Sequence, residues 1–163
     1  MMKTERTEFS PYKNAYRLTL GDVEMIVVAE IGPRILSLRL GDGPNILFHD
    51  TERQFVRGDW HIRGGHRIWV SPEDENCYAP DNAACTVTES SDGFINFTAP
   101  VNAAQLQKTL QIGQCPKDGQ FVVKTILRNS GPMLAQGAVW NLTCVNPEGV
   151  VVVPWAEGSA EWN

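Results

Sequence analysis

The sequence predicts an all-β protein built from antiparallel strands. Short runs that are β-branched, or that alternate between apolar and polar residues, follow one another along the chain. Gly, Pro, Asn and Asp separate these runs, and each of these residue types favours a turn for a backbone reason. Helical periodicity is nearly absent. At 163 residues the chain suits one hydrophobic core, so we predict a single β-sandwich domain over residues 1–163.

Eleven strands are predicted in chain order, with turns between them that contain Gly or Pro. They cover residues 16–20, 23–29, 34–40, 46–48, 66–70, 85–89, 93–98, 105–111, 121–129, 136–145 and 149–153. The clearest turns are 20–22 (LGD), 41–44 (GDGP), 91–93 (SDG), 116–119 (PKDG) and 129–132 (NSGP). This spacing is typical of a meander of hairpins.

Two of these runs indicate how the strands are covered. In 106–112 (LQKTLQI) the residues Leu106, Leu110 and Ile112 share one parity and the glutamines take the other, which predicts one buried and one solvated face. The run 149–153 (GVVVV) is apolar on both parities. It suits either a central strand or an edge that needs a partner.

Composition excludes several classes of function. The net charge of -5 gives no reason to expect a nucleic-acid partner. No stretch is apolar enough for a secretory signal or a membrane span, so we expect a cytoplasmic protein without a membrane partner. The four cysteines lack metal-site spacing and are expected to be free thiols. The three histidines have no spacing that supports a metal site, and we expect neither a metal nor an organic cofactor.

The candidate functional residues lie in two long loops and the strand between them. Residues 50–65 and 71–84 carry no strand signal, and loops of this length are usually functional or disordered. In an extended strand from His66, the side chains of Arg67 and Trp69 lie on one face. Together with Trp60, an aromatic ring beside a guanidinium suits a sugar, whose C–H face stacks while its hydroxyls hydrogen-bond. A core Trp beside a surface Arg explains the same pattern equally well.

The middle of the chain resembles a known family of proteins. Residues 64–73 (GGHRIWVSPE) followed by 78–82 (YAPDN) are similar to a motif of an uncharacterised branch of the galactose mutarotase-like (aldose 1-epimerase) superfamily. The opening hairpin with its Gly32-Pro33-Arg34 turn, and the strand that contains Trp140, also resemble that family. The resemblance runs from about residue 16 to residue 154 and implies part of an antiparallel β-supersandwich with a small-molecule carbohydrate as its ligand.

The resemblance transfers a ligand site more readily than a catalytic mechanism. It implies ligand-binding roles for Arg34, Trp60, Arg67, Trp69, Asp81 and Asn82. Leu142 stands where the family has the histidine that acts as the catalytic acid, and we expect the chain to end before the strand that carries the glutamate base. His66 and Glu73 are the candidate acid and base in their place, in an aldose 1-epimerase-like isomerase. Asp81 and Asn82 are also compatible with a plain turn after Pro80.

Family members are usually much longer than this chain, so we expect a compact variant or a truncation. A sandwich that ends at the apolar run 149–153 exposes an edge, and we expect a second copy to cover it in a homo-oligomer. Two alternatives to carbohydrate binding remain. One is a non-catalytic β-sandwich module for assembly, and the other is a truncated product without its own activity.

Overall fold

The computed structural model describes residues 1–152, which contain twelve strands and one short 3-10 turn. This part is all-β, as the sequence predicts. It contains no helix with the length and apolarity needed to cross a bilayer. The strands are β1 Lys3–Phe9, β2 Tyr12–Leu20, β3 Val23–Val28, β4 Arg34–Leu40, β5 Val56–Arg57, β6 Trp60–His61, β7 His66–Ser71, β8 Thr86–Glu89, β9 Ile95–Thr98, β10 Leu106–Gln114, β11 Phe121–Asn129 and β12 Ala138–Thr143. The 3-10 turn spans Glu75–Tyr78.

The strands form two main antiparallel sheets and one small hairpin. The six-stranded sheet has the order β1-β2-β3-β4-β7-β12, and the four-stranded sheet has the order β11-β10-β9-β8. Strands β5 and β6 pair only with each other. Most neighbours in the sheets are also neighbours in sequence, which is the predicted meander. The exceptions are β4, β7 and β12, and the loops on either side of β7 carry the candidate site.

The core lies between the two sheets. One apolar cluster joins residues of the six-stranded sheet, such as Leu18 and Ile68, to residues of the four-stranded sheet, such as Phe97 and Leu110. A second cluster, which includes Leu36, contains other residues of strands β2 to β4. Strand β3 contributes neighbouring residues to both clusters, so it is covered on both faces, as its continuous apolar sequence requires.

Strand β10 confirms the alternation predicted for residues 106–112. Leu110 and Ile112 are fully buried, whereas Gln107 and Gln111 are half-buried. Lys108 has the same parity as the leucines and is only 8% exposed. A charged residue therefore occupies the apolar row that faces the other sheet.

The sequence prediction missed strand β1 and the beginning of strand β2. Strand β1 is polar in almost every position and largely exposed, so it has no apolar pattern. It exists because its backbone pairs with β2 from Lys3 to Phe9. Backbone pairing at a sheet edge does not depend on side-chain polarity, and charged residues are common on edge strands.

Two predicted strands are wrong within the described residues. Residues 46–48 form only an isolated bridge, between Leu47 and Val145, because the side chain of Asn45 occupies the amide of Leu47. Residues 149–152 form no strand, and Val150 to Val152 are 74–89% exposed. Val153 lies outside the described residues. No strand among residues 1–152 pairs with this run, so an apolar sequence alone did not create an edge.

The glycine pair before β7 allows a close approach between backbones. A Cβ atom on Gly65 would lie 2.1 Å from the carbonyl oxygen of Ile35, and Gly65 has a φ of +66°. A Cβ atom on Gly64 would lie 2.2 Å from the carbonyl oxygen of Phe48. The two glycines therefore serve the packing of β7 beside β4, which places Arg67 opposite Arg34.

We expect Gly65→Ala to destabilise the protein by more than about 2 kcal/mol, because alanine adds both a clash with backbone and strain at positive φ. Gly21→Ala is the matched control. Gly21 has a φ of +58° and open space around it, so strain alone should cost about 1 kcal/mol. Urea denaturation measures both, and equal losses in the two variants would contradict the packing role of Gly65.

Candidate functional site

Both predicted loops are folded, and they lie against the six-stranded sheet. Residues 50–65 contain the β5–β6 hairpin, which carries Trp60. Residues 71–84 contain the 3-10 turn, which begins after the capping residue Asp74 and ends at Tyr78. The second loop then returns to β4 through a hydrogen bond from the amide of Gly32 to the carbonyl oxygen of Asp81. Predicted site residues from distant parts of the chain therefore meet.

Asp81 lies at the centre of this meeting point. Nη2 of Arg34 donates to both carboxylate oxygens of Asp81 at 2.6 Å, and Nη2 of Arg67 donates to Oδ2 at 3.1 Å. Arg34 also donates to the carbonyl oxygen of Ile62 at 3.3 Å. Arg34 is fully buried and Arg67 is 2% exposed, whereas the side chain of Asp81 is 15% exposed. One carboxylate therefore joins two arginines of adjacent strands to the loop 71–84.

The charges of this cluster do not balance. Burial raises the pKa of Asp81, but the positive charges of Arg34, Arg67 and Lys108 outweigh burial and hold the pKa below its ordinary value. Burial and the neighbouring Arg34 lower the pKa of Arg67 to about 9. Burial, opposed by Asp81, lowers the pKa of Lys108 to about 8. Three basic side chains, Arg34, Arg67 and Lys108, therefore surround a single carboxylate.

Three aromatic rings cover the arginine side of this cluster. The ring centroids of Trp60, Trp69 and Tyr78 are 5.2–5.8 Å apart in edge-to-face pairs. The guanidinium carbon of Arg67 lies 4.3 Å from the centre of Trp69 and 5.3 Å from that of Trp60. Such distances give cation–π attraction. Arg67 and Trp69 are therefore neighbours on one face of β7, as strand alternation predicts.

The exposure of these groups differs from what the sequence suggested. Trp69 is 2% exposed and belongs to the core, so it cannot offer an open face for stacking. Arg34 and Arg67 are buried as well, and neither is a surface residue. Trp60 and Tyr78 are half-buried and form the accessible part of the cluster. The sequence singled out Trp60 but did not single out Tyr78.

A buried hydrogen bond between His61 and Asp50 positions the hairpin that carries Trp60. Nε2 of His61 lies 2.9 Å from Oδ2 of Asp50, and both side chains are at most 3% exposed. Asp50 also accepts hydrogen bonds from the amides of Gln54 and Phe55. This carboxylate therefore closes the loop onto β6 and fixes the direction of Trp60.

Asn82 has a comparable positioning role between loops. It accepts a hydrogen bond from Nη2 of Arg63 at 2.7 Å and donates to the carbonyl oxygen of Asp59 at 3.0 Å. Arg63 in turn donates to the hydroxyl of Tyr12. Asp81 and Asn82 are thus part of a network that joins the two loops, which a plain turn does not require.

The candidate acid and base are not brought together. Nδ1 of His66 lies 2.8 Å from the hydroxyl of Thr143, while Glu73 accepts a hydrogen bond from the hydroxyl of Tyr78. Strand β7 separates them, and at roughly 3.3 Å per residue its ends are about 16 Å apart. Burial lowers the pKa of His66, and no carboxylate of the described part of the chain is hydrogen-bonded to it.

Lys108 is a second site residue, besides Tyr78, that sequence reasoning missed. Its Nζ lies 5.5 Å from the centre of the Trp69 ring, and its side chain lines a cleft of about 70 Å³ with Asp81, Gly32 and Asn102. A signal for it existed, because a lysine occupies the buried parity of an otherwise apolar row. Its position beside Asp81 depends on how the sheets pack and has no sequence signal.

The remaining cysteine and histidine residues form no further centre. All four cysteines are free thiols. Within residues 1–152, no group of three or more His, Cys, Asp or Glu side chains is arranged to hold a metal ion. Comparison of the chain with protein-family models, with curated proteins and with solved structures finds no match in any of the three.

We expect Asp81→Asn to destabilise the protein by roughly 3–5 kcal/mol, because it leaves two buried arginines without their carboxylate. Glu75→Gln is the matched control, since it removes an exposed ion pair with Arg57 from the same loop and should change stability little. Urea denaturation at neutral pH measures both. A small effect of Asp81→Asn would show that the arginines find other partners.

Proposed function

We propose that this chain is a carbohydrate-binding protein with part of a mutarotase-like β-supersandwich. The observation that carries the proposal is the cluster of Trp60, Trp69 and Tyr78 around Arg67, held beside Asp81. Half-buried aromatic rings next to fixed charged groups suit a pyranose, which offers an apolar C–H face and a rim of hydroxyls. Two packed antiparallel sheets are compatible with the proposed fold.

The residues divide into those that contact the sugar and those that hold them. Trp60 and Tyr78 provide the stacking surface, because they are the accessible rings of the cluster. The indole nitrogen of Trp60 is buried and has no hydrogen-bond partner within residues 1–152. Trp69, Arg34 and Arg67 support this surface from beneath.

Catalysis needs a different acid and base from those suggested by the sequence. General acid–base chemistry requires both groups within hydrogen-bonding reach of the substrate. His66 and Glu73 lie at opposite ends of β7 and have separate partners. Aldose 1-epimerase activity is therefore not assigned to this pair, and the proposal is one of binding.

We expect Trp60→Leu to weaken sugar binding at least tenfold while the protein remains folded, because Trp60 is half-buried and adjoins Tyr78. Tryptophan fluorescence titration against a panel of aldoses, sugar phosphates and oligosaccharides measures the affinity of the wild type. Isothermal titration calorimetry extends the comparison to the variants. Phe55→Leu is the control, since it replaces an exposed ring in the same loop. A flat response of the wild type across the panel would contradict the proposal.

The second candidate function is assembly through a different surface. Strands β11 and β12 are edges of their sheets within residues 1–152, and both expose large apolar side chains. Val123, Ile126, Val139 and Trp140 are 36–44% exposed and define the β11–β12 surface. Unpaired, apolar edge strands recruit further strands. This surface replaces residues 149–153 as the candidate edge for a second copy.

We expect the wild type to sediment as a homo-oligomer at micromolar concentration and Trp140→Lys to shift it to monomer. A lysine on an edge strand opposes pairing with a second strand, and it replaces the apolar Trp140 side chain with a charged one. Leu40→Lys is the control, because Leu40 is 70% exposed but lies on β4. A monodisperse wild-type monomer would exclude assembly through this surface.

A further inference from the structure

The charge cluster around Asp81 contains more positive charge than its fold requires. Arg34, Arg67 and Lys108 carry three positive charges, and Asp81 is the one carboxylate that pairs with any of them within residues 1–152. Buried charges are expensive unless they are paired, so an excess of two cations opposes folding. Such an excess is expected where a ligand supplies the missing negative charge.

The hydrogen-bonding groups of the cluster show the same imbalance. Nε and Nη1 of Arg67 and Nε of Arg34 are buried and have no partner within residues 1–152. The indole nitrogen of Trp60 is in the same condition. All of these atoms are donors, and native proteins leave few buried donors unpaired. The cluster therefore lacks acceptors as well as negative charge.

Lys108 is the cation that opens to the outside. It lines the cleft between residues 79–83 and residues 99–106, whereas Arg34 and Arg67 lie behind Asp81. Its ammonium forms no ion pair with any carboxylate in the described chain, although the side chain is only 8% exposed. Both oxygens of Asp81 are already bound by arginines. Lys108 is thus a charged donor available within the cleft.

The volume of the cleft limits what can bind there. About 70 Å³ exceeds the roughly 15 Å³ that one water needs, so the cleft holds more than a single solvent molecule. It is well below the roughly 300 Å³ of pockets that enclose a whole small ligand. A compact charged group fits this space, and a complete pyranose does not.

We infer that this cleft binds the anionic group of an acidic sugar, a carboxylate or a phosphate, and that Lys108 contacts that group. The inference rests on the proposed function, because the sugar ring would lie outside the cleft on Trp60 and Tyr78. The Tyr78 ring centre and Nζ of Lys108 each lie 5.5 Å from the centre of the buried Trp69 ring, so they are at most 11 Å apart (5.5 Å plus 5.5 Å). Arg34 and Arg67, which both bind Asp81, add electrostatic attraction for an anion.

The test measures binding of glucose, glucuronate, glucose 6-phosphate and inorganic phosphate by calorimetry at pH 7 and constant ionic strength. We expect at least one of the two acidic sugars to bind at least tenfold more tightly than glucose. Lys108→Met should remove that preference, while Lys108→Arg should retain it. Lys124→Met is the matched control, because Lys124 is an exposed cation on the adjacent strand β11. The preferred acidic sugar distinguishes a carboxylate from a phosphate.

Two further readouts separate a binding role of Lys108 from a structural one. The preference for acidic sugars should fall as pH rises through about 8 in the wild type, because Lys108 loses its charge there. Arg67, with a pKa of about 9, and the nearby thiol of Cys77 also face this region. Lys108→Arg should keep the preference to higher pH, because a guanidinium retains its charge at higher pH than an ammonium group. Lys108→Met should raise the denaturation midpoint, because it removes an unpaired buried charge. A lowered midpoint with unchanged binding would overturn the inference.

The outcomes distinguish this inference from the proposed function. Equal binding of glucose and both acidic sugars would overturn the anion site and leave carbohydrate binding in place. Binding of phosphate alone, lost in Lys108→Met, would retain the anion site and overturn carbohydrate binding. If none of the four compounds binds, the anion site is overturned, and the wider panel of sugars decides the proposed function.

Discussion

Asp81 accepts hydrogen bonds from two buried arginines, and the arrangement of the candidate site depends on this contact. Strands β4 and β7 place Arg34 opposite Arg67, and two like charges in adjacent positions repel unless a carboxylate lies between them. Asp81 supplies it from the end of a loop. In doing so it fixes the loop that holds Tyr78 against Trp60 and Trp69, so the electrostatic contact also builds the aromatic cluster.

The remaining parts of the site depend on similar contacts between loops. Asp50 closes the first loop by accepting two backbone amides and pairing with His61, and this positions the hairpin of Trp60. Asn82 joins the second loop to the first through Arg63 and the carbonyl oxygen of Asp59. Short polar side chains therefore hold two irregular segments in one arrangement. Such segments bury little apolar surface of their own, so hydrogen bonds must specify their shape.

Lys108 is different, because it forms no ion pair with any carboxylate of residues 1–152. Burial with two arginines opposes its charge and lowers its pKa, while one carboxylate offsets only part of that cost. The rest of β10 follows the pattern of a stable strand, with Leu110 and Ile112 in the core. A residue that lowers stability within an otherwise regular strand suggests a requirement other than folding. The cleft beside Asp81 gives that requirement a location.

Local sequence was enough to predict the all-β class, most of the strands, and the proximity of Arg67 to Trp69. These follow from periodicity and turn residues, which depend on residues that are close together in the chain. Only the tertiary structure decided that Trp69 is buried, that Asp81 joins Arg34 to Arg67, and that His66 and Glu73 are apart. It also showed that the polar residues 3–9 form a strand while the apolar residues 149–152 do not. Strand pairing needs a free backbone partner, and burial needs a covering surface; both are supplied by residues distant in sequence, so local pattern cannot specify them.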